Sequence, residues 1–166
     1  MELRQFLEEI KTKTKHTKNK IVVGILDDRV IQFLRDKNAP VHTKEIYLNH
    51  KGLSHLARDS KRKRGAGLGK EDILKIPGIL ENPDVIAIEK KKNKIHLLYC
   101  LDNQECDNMI KIVIDTSFVY KGEKLTLVKT AGYVKKYNIF KNRDFEIVEI
   151  EEVGEPSPPH TSRRER

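Results

Sequence analysis

The stretch VIAIEKKKNKIHLLYCLDNQECDNMIKIVIDTSFVYKGEKLTLVKT, residues 85–130, decides the fold. Short runs of Val, Ile, Leu and Tyr are separated by polar turns, which is the pattern of consecutive strands. Val85–Glu89 reads as one strand, Lys90–Asn93 as a turn, and Lys94–Leu101 as the returning strand of a hairpin. Met109–Asp115, Ser117–Tyr120 and Lys124–Thr130 continue the meander, with Gly122 in a turn. Phe145–Ile150 alternates again and is expected as an edge strand, while Tyr133–Phe140 fits neither period.

Towards the N-terminus the period changes. Leu3, Phe6, Leu7 and Ile10 have helical spacing, so Met1–Lys11 is expected as a short amphipathic helix. Lys11–Lys20 reads as a linker, which starts the compact part at Ile21. Ile21–Leu26 is a β-rich run, and Asp27 or Asp28 caps a helix that buries Val30, Ile31, Phe33 and Leu34. Asn38-Ala39-Pro40 ends that helix. Glu45–Asn49 is a short strand, and Leu53, Leu56 and Ala57 form the inner face of a helix over Lys51–Lys61. The loop Arg64–Gly69 lacks Walker A spacing, because Glu71 stands where Ser or Thr would bind magnesium. Glu71–Leu80 reads as two helical turns broken at Pro77-Gly78. Helices first and an antiparallel meander second indicate an α+β domain. The expected organisation is an N-terminal helix and linker over 1–20, a folded domain over 21–153 and a disordered tail over 154–166.

A chain of 166 residues fits one domain. Its 33 basic and 25 acidic residues leave a net charge of +8, which points to an anionic partner, nucleic acid first. The charge is uneven. Lys51–Lys75 holds eight Lys or Arg against three acids, centred on Lys61-Arg62-Lys63-Arg64, whereas Arg143–Glu155 holds one Arg against six acids. No apolar stretch has the length of a membrane span. Glu2, Glu8 and Glu9 occupy the N-terminus in place of an apolar signal-peptide core, so a cytoplasmic location is expected. Cys100 and Cys106 provide neither a disulfide framework nor a four-ligand zinc site, and no metal-nuclease spacing is present, so neither metal nor cofactor is expected.

Five pieces occur in order: GILDDRVIQFLR (24–35), IYLNHKGLSHLARD (46–59) with paired histidines, ILKIPGILENPDVIAI (73–88), MIKIVID (109–115) with its lysine, and LTLVKTAGYV (125–134). This order resembles the phage and toxin nuclease domains grouped as barnase-EndoU-colicin-RelE-like. The resemblance covers about two thirds of the chain, Ile21 to about Tyr133. It implies N-terminal helices packed on a four- or five-stranded antiparallel sheet whose concave face binds RNA. It also implies a metal-independent ribonuclease, often a toxin against transfer RNA or other cellular RNA, delivered by contact-dependent or phage-derived systems. Such toxins are neutralised by an immunity protein, here expected to be acidic. A catalytically inactive nucleic-acid-binding domain or a phage-associated interaction domain of the same fold is the alternative.

Metal-free RNA cleavage needs a base for the ribose 2′-hydroxyl, a cation for the phosphorane and an acid for the leaving 5′-oxygen, and yields a 2′,3′-cyclic phosphate. His55 and His50 are the candidate base and acid. On one helix they lie roughly 140° apart, so both can function only if His50 sits at the strand end or ahead of the helix. Arg58, three residues after His55, shares its face and can meet the same phosphate. Lys111 shares a strand face with Val113, opposite Ile110, Ile112 and Ile114, where its charge suits the phosphorane. Thr130, before Ala131-Gly132, is a phosphate donor, and Tyr133 a donor or stacking surface; Lys129 is expected to point away from Thr130. Lys61, Arg62, Lys63 and Arg64 would guide RNA electrostatically. His16 and His160 fall in the linker and tail, His42 follows a Pro turn, and His96 lies within a strand, where a structural role is expected.

Overall fold

The computed structural model describes residues 2–12, 20–56, 69–102, 107–141 and 143–148. Its strands are β1 Lys20–Ile25, β2 Glu45–Asn49, β3 Val85–Lys91, β4 Lys94–Asp102, β5 Asn108–Tyr120, β6 Glu123–Lys135 and β7 Phe145–Ile147. Its helices are α1 Leu3–Thr12, α2 Asp28–Asp36, α3 His50–Leu56, α4 Lys70–Ile73, α5 Ile76–Glu81 and α6 Lys136–Lys141. The expected tail over 154–166, His16, Arg58 and the Lys61–Arg64 run lie outside the described residues.

The fold is α+β, on a sheet of seven strands rather than four or five, ordered β1-β2-β6-β5-β4-β3-β7. The difference arises at both edges. The β1–β2 hairpin joins the meander through the parallel pair β2–β6, and β7 adds to β3 at the far side. The remaining neighbours are antiparallel. Nor do all helices precede the meander, since α6 connects β6 to β7.

One face of the sheet carries the main core. Ile21, Val23, Ile46, Leu48, Ile88, Leu97, Tyr99, Ile110, Ile112, Ile114 and Val128 meet Phe6 and Leu7 of α1, Leu34 of α2, Leu53 and Leu56 of α3, and Ile73, Ile76 and Ile79 of α4–α5. The helix expected to stand apart from the compact part is therefore built into it: Phe6 and Leu7 are 0% exposed. The opposite face has a smaller apolar cluster, where Ile139 of α6 covers Ala87, Leu98, Cys100, Met109 and Val113. Lys111, between Met109 and Val113, belongs to this second face.

Local chemistry explains the element ends. Asp27 is the N-cap of α2; its carboxylate accepts from the Arg29 backbone N–H at 2.8 Å and pairs with the Arg29 guanidinium at 2.7 Å. The Arg29 hydrogen bond, opposed by partial burial, holds the Asp27 carboxyl below its ordinary range. The helix ends in a Schellman motif, with Asn38 left-handed at φ 62 and the Asn38 and Ala39 N–H groups donating to Arg35 and Leu34 carbonyls. At Gly24 in β1 an added Cβ would sit 3.0 Å from Leu80 of α5, so the strand and helix approach as closely as they do only because no side chain is there. Lys121 at φ 51 and Gly122 at φ 80 form the two-residue turn joining β5 to β6.

Two irregularities in β5–β6 reset the strand period. Asp115 pairs with Leu127 but Phe118 pairs with Leu125, so one extra residue lies on β5 and Phe118 takes the face that Asp115 occupies. Thr116 and Ser117 lie in this bulge. Val113 pairs with Thr130 but Ile114 with Val128, which leaves Lys129 as an extra residue on β6. Thus Met109–Asp115 and Ser117–Tyr120 are one continuous strand with a bulge between them.

Candidate active site

The second face of the sheet opens at its β1–β2–β6 side into a groove of about 780 Å³. Its walls come from Asn49 at the end of β2, the first turn and His55 of α3, the tip of the β5–β6 hairpin, and Lys20 of β1. Leu125 and Leu127 are among its apolar lining. Four lysines (Lys20, Lys51, Lys121, Lys129) line it against one carboxylate, Glu123, which pairs with Lys20 at 2.9 Å.

Both candidate histidines line this groove. The Asn49 side chain caps α3 by accepting from the Gly52 N–H at 2.7 Å, so the helix begins at His50, directly at the strand end. Leu53 and Leu56 bury the opposite side of α3 and leave His55 exposed. His50 is half-buried, and its ring meets Phe6 of α1 edge-on at 6.4 Å and 75°. α1 therefore buttresses one wall of the groove.

Lys111 and Thr130 do not line the groove; they sit further along the same sheet face, on β5 and β6. Lys111 pairs with Gly132 and Cys100, and Thr130 with Val113. Tyr133 lies on the other face. It packs against the main core and its hydroxyl donates to the Asp72 carboxylate of α4, so it is turned away from Lys111 and Thr130. The candidate groups are thus distributed: the imidazoles in the groove, the Lys111 ammonium and Thr130 hydroxyl beyond it, with Arg58 outside the described residues.

Lys129 links the two zones. Strict alternation would turn it from Thr130, but the bulge brings it into the groove lining beside Leu127. Its charge also reaches His96 on β4. His96 is 5% exposed, and its Nε2 has no hydrogen-bond partner among the described residues. Burial, then Lys129, lowers its pKa, and Lys94 adds to this; Asp115 and cross-strand Glu89 oppose it. The imidazole is therefore held neutral. Asp115, also buried, accepts from Lys94 at 2.7 Å and from the Ser117 N–H at 2.9 Å. Burial pushes the Cys100 thiol up to about 12, which makes it a poor nucleophile. His42 bonds the Phe118 carbonyl through Nδ1 at 3.3 Å, which gives it a place in the packing of the β5 bulge. Among the described residues no three His, Cys, Asp or Glu side chains group as metal ligands, and no helix is long and apolar enough to cross a membrane.

The family model described as phage-Barnase-EndoU-ColicinE5/D-RelE like nuclease 3 matches residues 20–142. The chain belongs to this nuclease family. The matched span contains the groove residues Lys20, His50, His55, Tyr120 and Lys129, whereas α1, with the Phe6 that supports His50, precedes it. No curated protein and no solved structure matched the chain. Within this nuclease, the residues that period-two reading left out are Lys129, Phe118 and Tyr120. A parity change at a bulge has no local signature in the sequence, so each was assigned to the wrong strand face or to none.

Proposed function

We propose that the chain is an RNA endonuclease that cleaves by attack of the ribose 2′-hydroxyl and leaves a 2′,3′-cyclic phosphate. The supporting observation is that two imidazoles and four ammonium groups line one groove in a nuclease-family domain. One imidazole takes the 2′-hydroxyl proton and the other protonates the leaving 5′-oxygen, a division of labour that two imidazoles can share because each ring can accept or give up a proton. Lys51 of α3 and Lys129 of β6, both in the groove lining, would offset the charge of the phosphorane. Lys111 and Thr130, beyond Lys129, contact the RNA backbone away from the scissile bond. Arg58 and the Lys61–Arg64 run, which follow α3 in sequence, add positive charge that draws RNA in.

The test is incubation of the purified protein with structured and unstructured RNA in EDTA. His50→Ala and His55→Ala should each slow cleavage about 100-fold or more. Intact RNA with the wild-type chain, or cleavage by both variants at the wild-type rate, would contradict the proposal.

A further inference from the structure

The groove contains more than acid–base groups. At its hairpin end Phe118 and Tyr120 stack on one another, centroids 6.4 Å apart and planes at 23°. Tyr120 is 57% exposed, and Lys121 Nζ lies 5.2 Å from the Tyr120 ring centroid. Both aromatic residues line the groove with the histidines. This stacked pair, with Tyr120 exposed and Phe118 half-buried beneath the groove, has no role in holding the main core, since neither ring belongs to it.

We propose that Phe118 and Tyr120 form a platform that stacks an unpaired base of the RNA, so that single-stranded segments are the preferred substrate. Every base has a π-face, so stacking selects for unpaired nucleotides more than for sequence, while adjacent lysines hold the phosphates. The platform is preformed. The bulge after Asp115 puts both rings on the groove side; without it Val119 would face the groove instead. That bulge is pinned from outside the hairpin: Thr116 Oγ1 donates to the Pro40 carbonyl at 2.8 Å, the His42 N–H donates to the Thr116 carbonyl at 2.8 Å, and the His42 ring bonds the Phe118 carbonyl. The Lys121-Gly122 turn fixes the far end. Little ordering remains to be done when a base arrives.

This inference names the substrate class of the proposed ribonuclease and so rests on that reading, but binding separates the two. The chain has no Trp, so anisotropy of a fluorescein-labelled, uncleavable 2′-O-methyl RNA is the readout, for the single strand and for the same strand annealed to its complement. Tyr120→Ala should weaken single-strand binding about tenfold, with duplex binding changed less than about twofold; Tyr120→Phe should restore the wild-type value. The salt dependence of single-strand binding should keep its slope in Tyr120→Ala, because no phosphate contact is lost. Equal losses for single strand and duplex, no loss in either, or no binding by the wild-type chain would overturn the platform. A Tyr120 effect that persists in a chain unable to cleave RNA would support the platform and count against the nuclease reading alone.

Discussion

Replacing three glycines by alanine, one at a time, should change stability in different directions, for reasons read from their surroundings. At Gly122 an added Cβ meets nothing within 4 Å, so the whole cost is conformational: φ is +80. The left-handed penalty for alanine is about 1–2 kcal/mol. Reduced freedom of the unfolded chain returns about 0.4–1 kcal/mol, for a net loss near 1 kcal/mol. At Gly78, within α5, the Cβ also meets nothing within 4 Å and φ is not positive, so only the unfolded-chain effect acts and Gly78→Ala should gain about 0.5 kcal/mol. At Gly24 the Cβ would lie 3.0 Å from both Leu80 Cβ and Leu80 Cδ1. Leu80 Cβ moves only with the α5 backbone, so overpacking of about 1–3 kcal/mol dominates. Urea unfolding followed by far-ultraviolet circular dichroism measures all three. With a slope of about 2 kcal/mol per molar, the midpoints should fall by roughly 0.5 M for Gly122→Ala and by as much or more for Gly24→Ala, and rise by roughly 0.25 M for Gly78→Ala. A Gly122→Ala variant as stable as the wild type would refute the left-handed turn, and with it the geometry that fixes the hairpin tip.

Four further outcomes are expected. His96 has a lowered pKa, so on acidification the unfolded chain takes up its proton first and stability falls as pH drops below the ordinary histidine value. His96→Leu should flatten that acid limb in urea titrations run between about pH 5 and 7; an unchanged limb would show that His96 is not the group responsible. Tyr133→Phe should cost about 1.5 kcal/mol in the same unfolding assay through loss of the Asp72 bond, with the rate of RNA cleavage unaltered. Asp27→Ala should destabilise by about 1 kcal/mol through loss of the α2 cap, read as a lower urea midpoint. In a Cys106→Ser background, Cys100 should react with a thiol reagent at pH 8 only as fast as the chain opens, so labelling should accelerate in urea; rapid labelling of the native chain would contradict its burial.

Much of the fold was legible because its signals are local. The Asp27 cap, the Asn38-Ala39-Pro40 stop and the β3–β4 hairpin each depend on residues near one another in the chain. The break expected at Pro77-Gly78 falls instead at Leu74-Lys75, because Pro77 occupies the first turn of α5, where its missing N–H leaves no helical bond unmade. The seven-strand order was not, because the parallel contact of Ile46 and Tyr47 with Thr126 and Leu127 joins segments 80 positions apart through no local motif. Phe6 and Leu7 looked like one face of an independent helix; the apolar spacing was visible but its partner, α3, was not. At the candidate site, His50 and His55 could be picked out by residue type, and their sharing of a groove follows from the Asn49 cap that starts α3 at the strand end. Tyr133 was misplaced because Asp72, its partner, lies far away in sequence. Lys129 was turned to the wrong side because a bulge shifts the alternation of β6 by one residue, and Phe118 and Tyr120 were not singled out because the bulge that sets their side of β5 has no local signature.

The most direct examination of the nuclease account uses a DNA oligonucleotide containing a single ribonucleotide, digested in EDTA and read by mass spectrometry. Scission should occur only on the 3′ side of the ribose and leave a terminus lighter by one water than a plain phosphate, and His50→Ala and His55→Ala should suppress it. Scission at deoxy positions, or a simple 3′-phosphate or 3′-hydroxyl end from the first moments of reaction, would contradict attack by the 2′-hydroxyl.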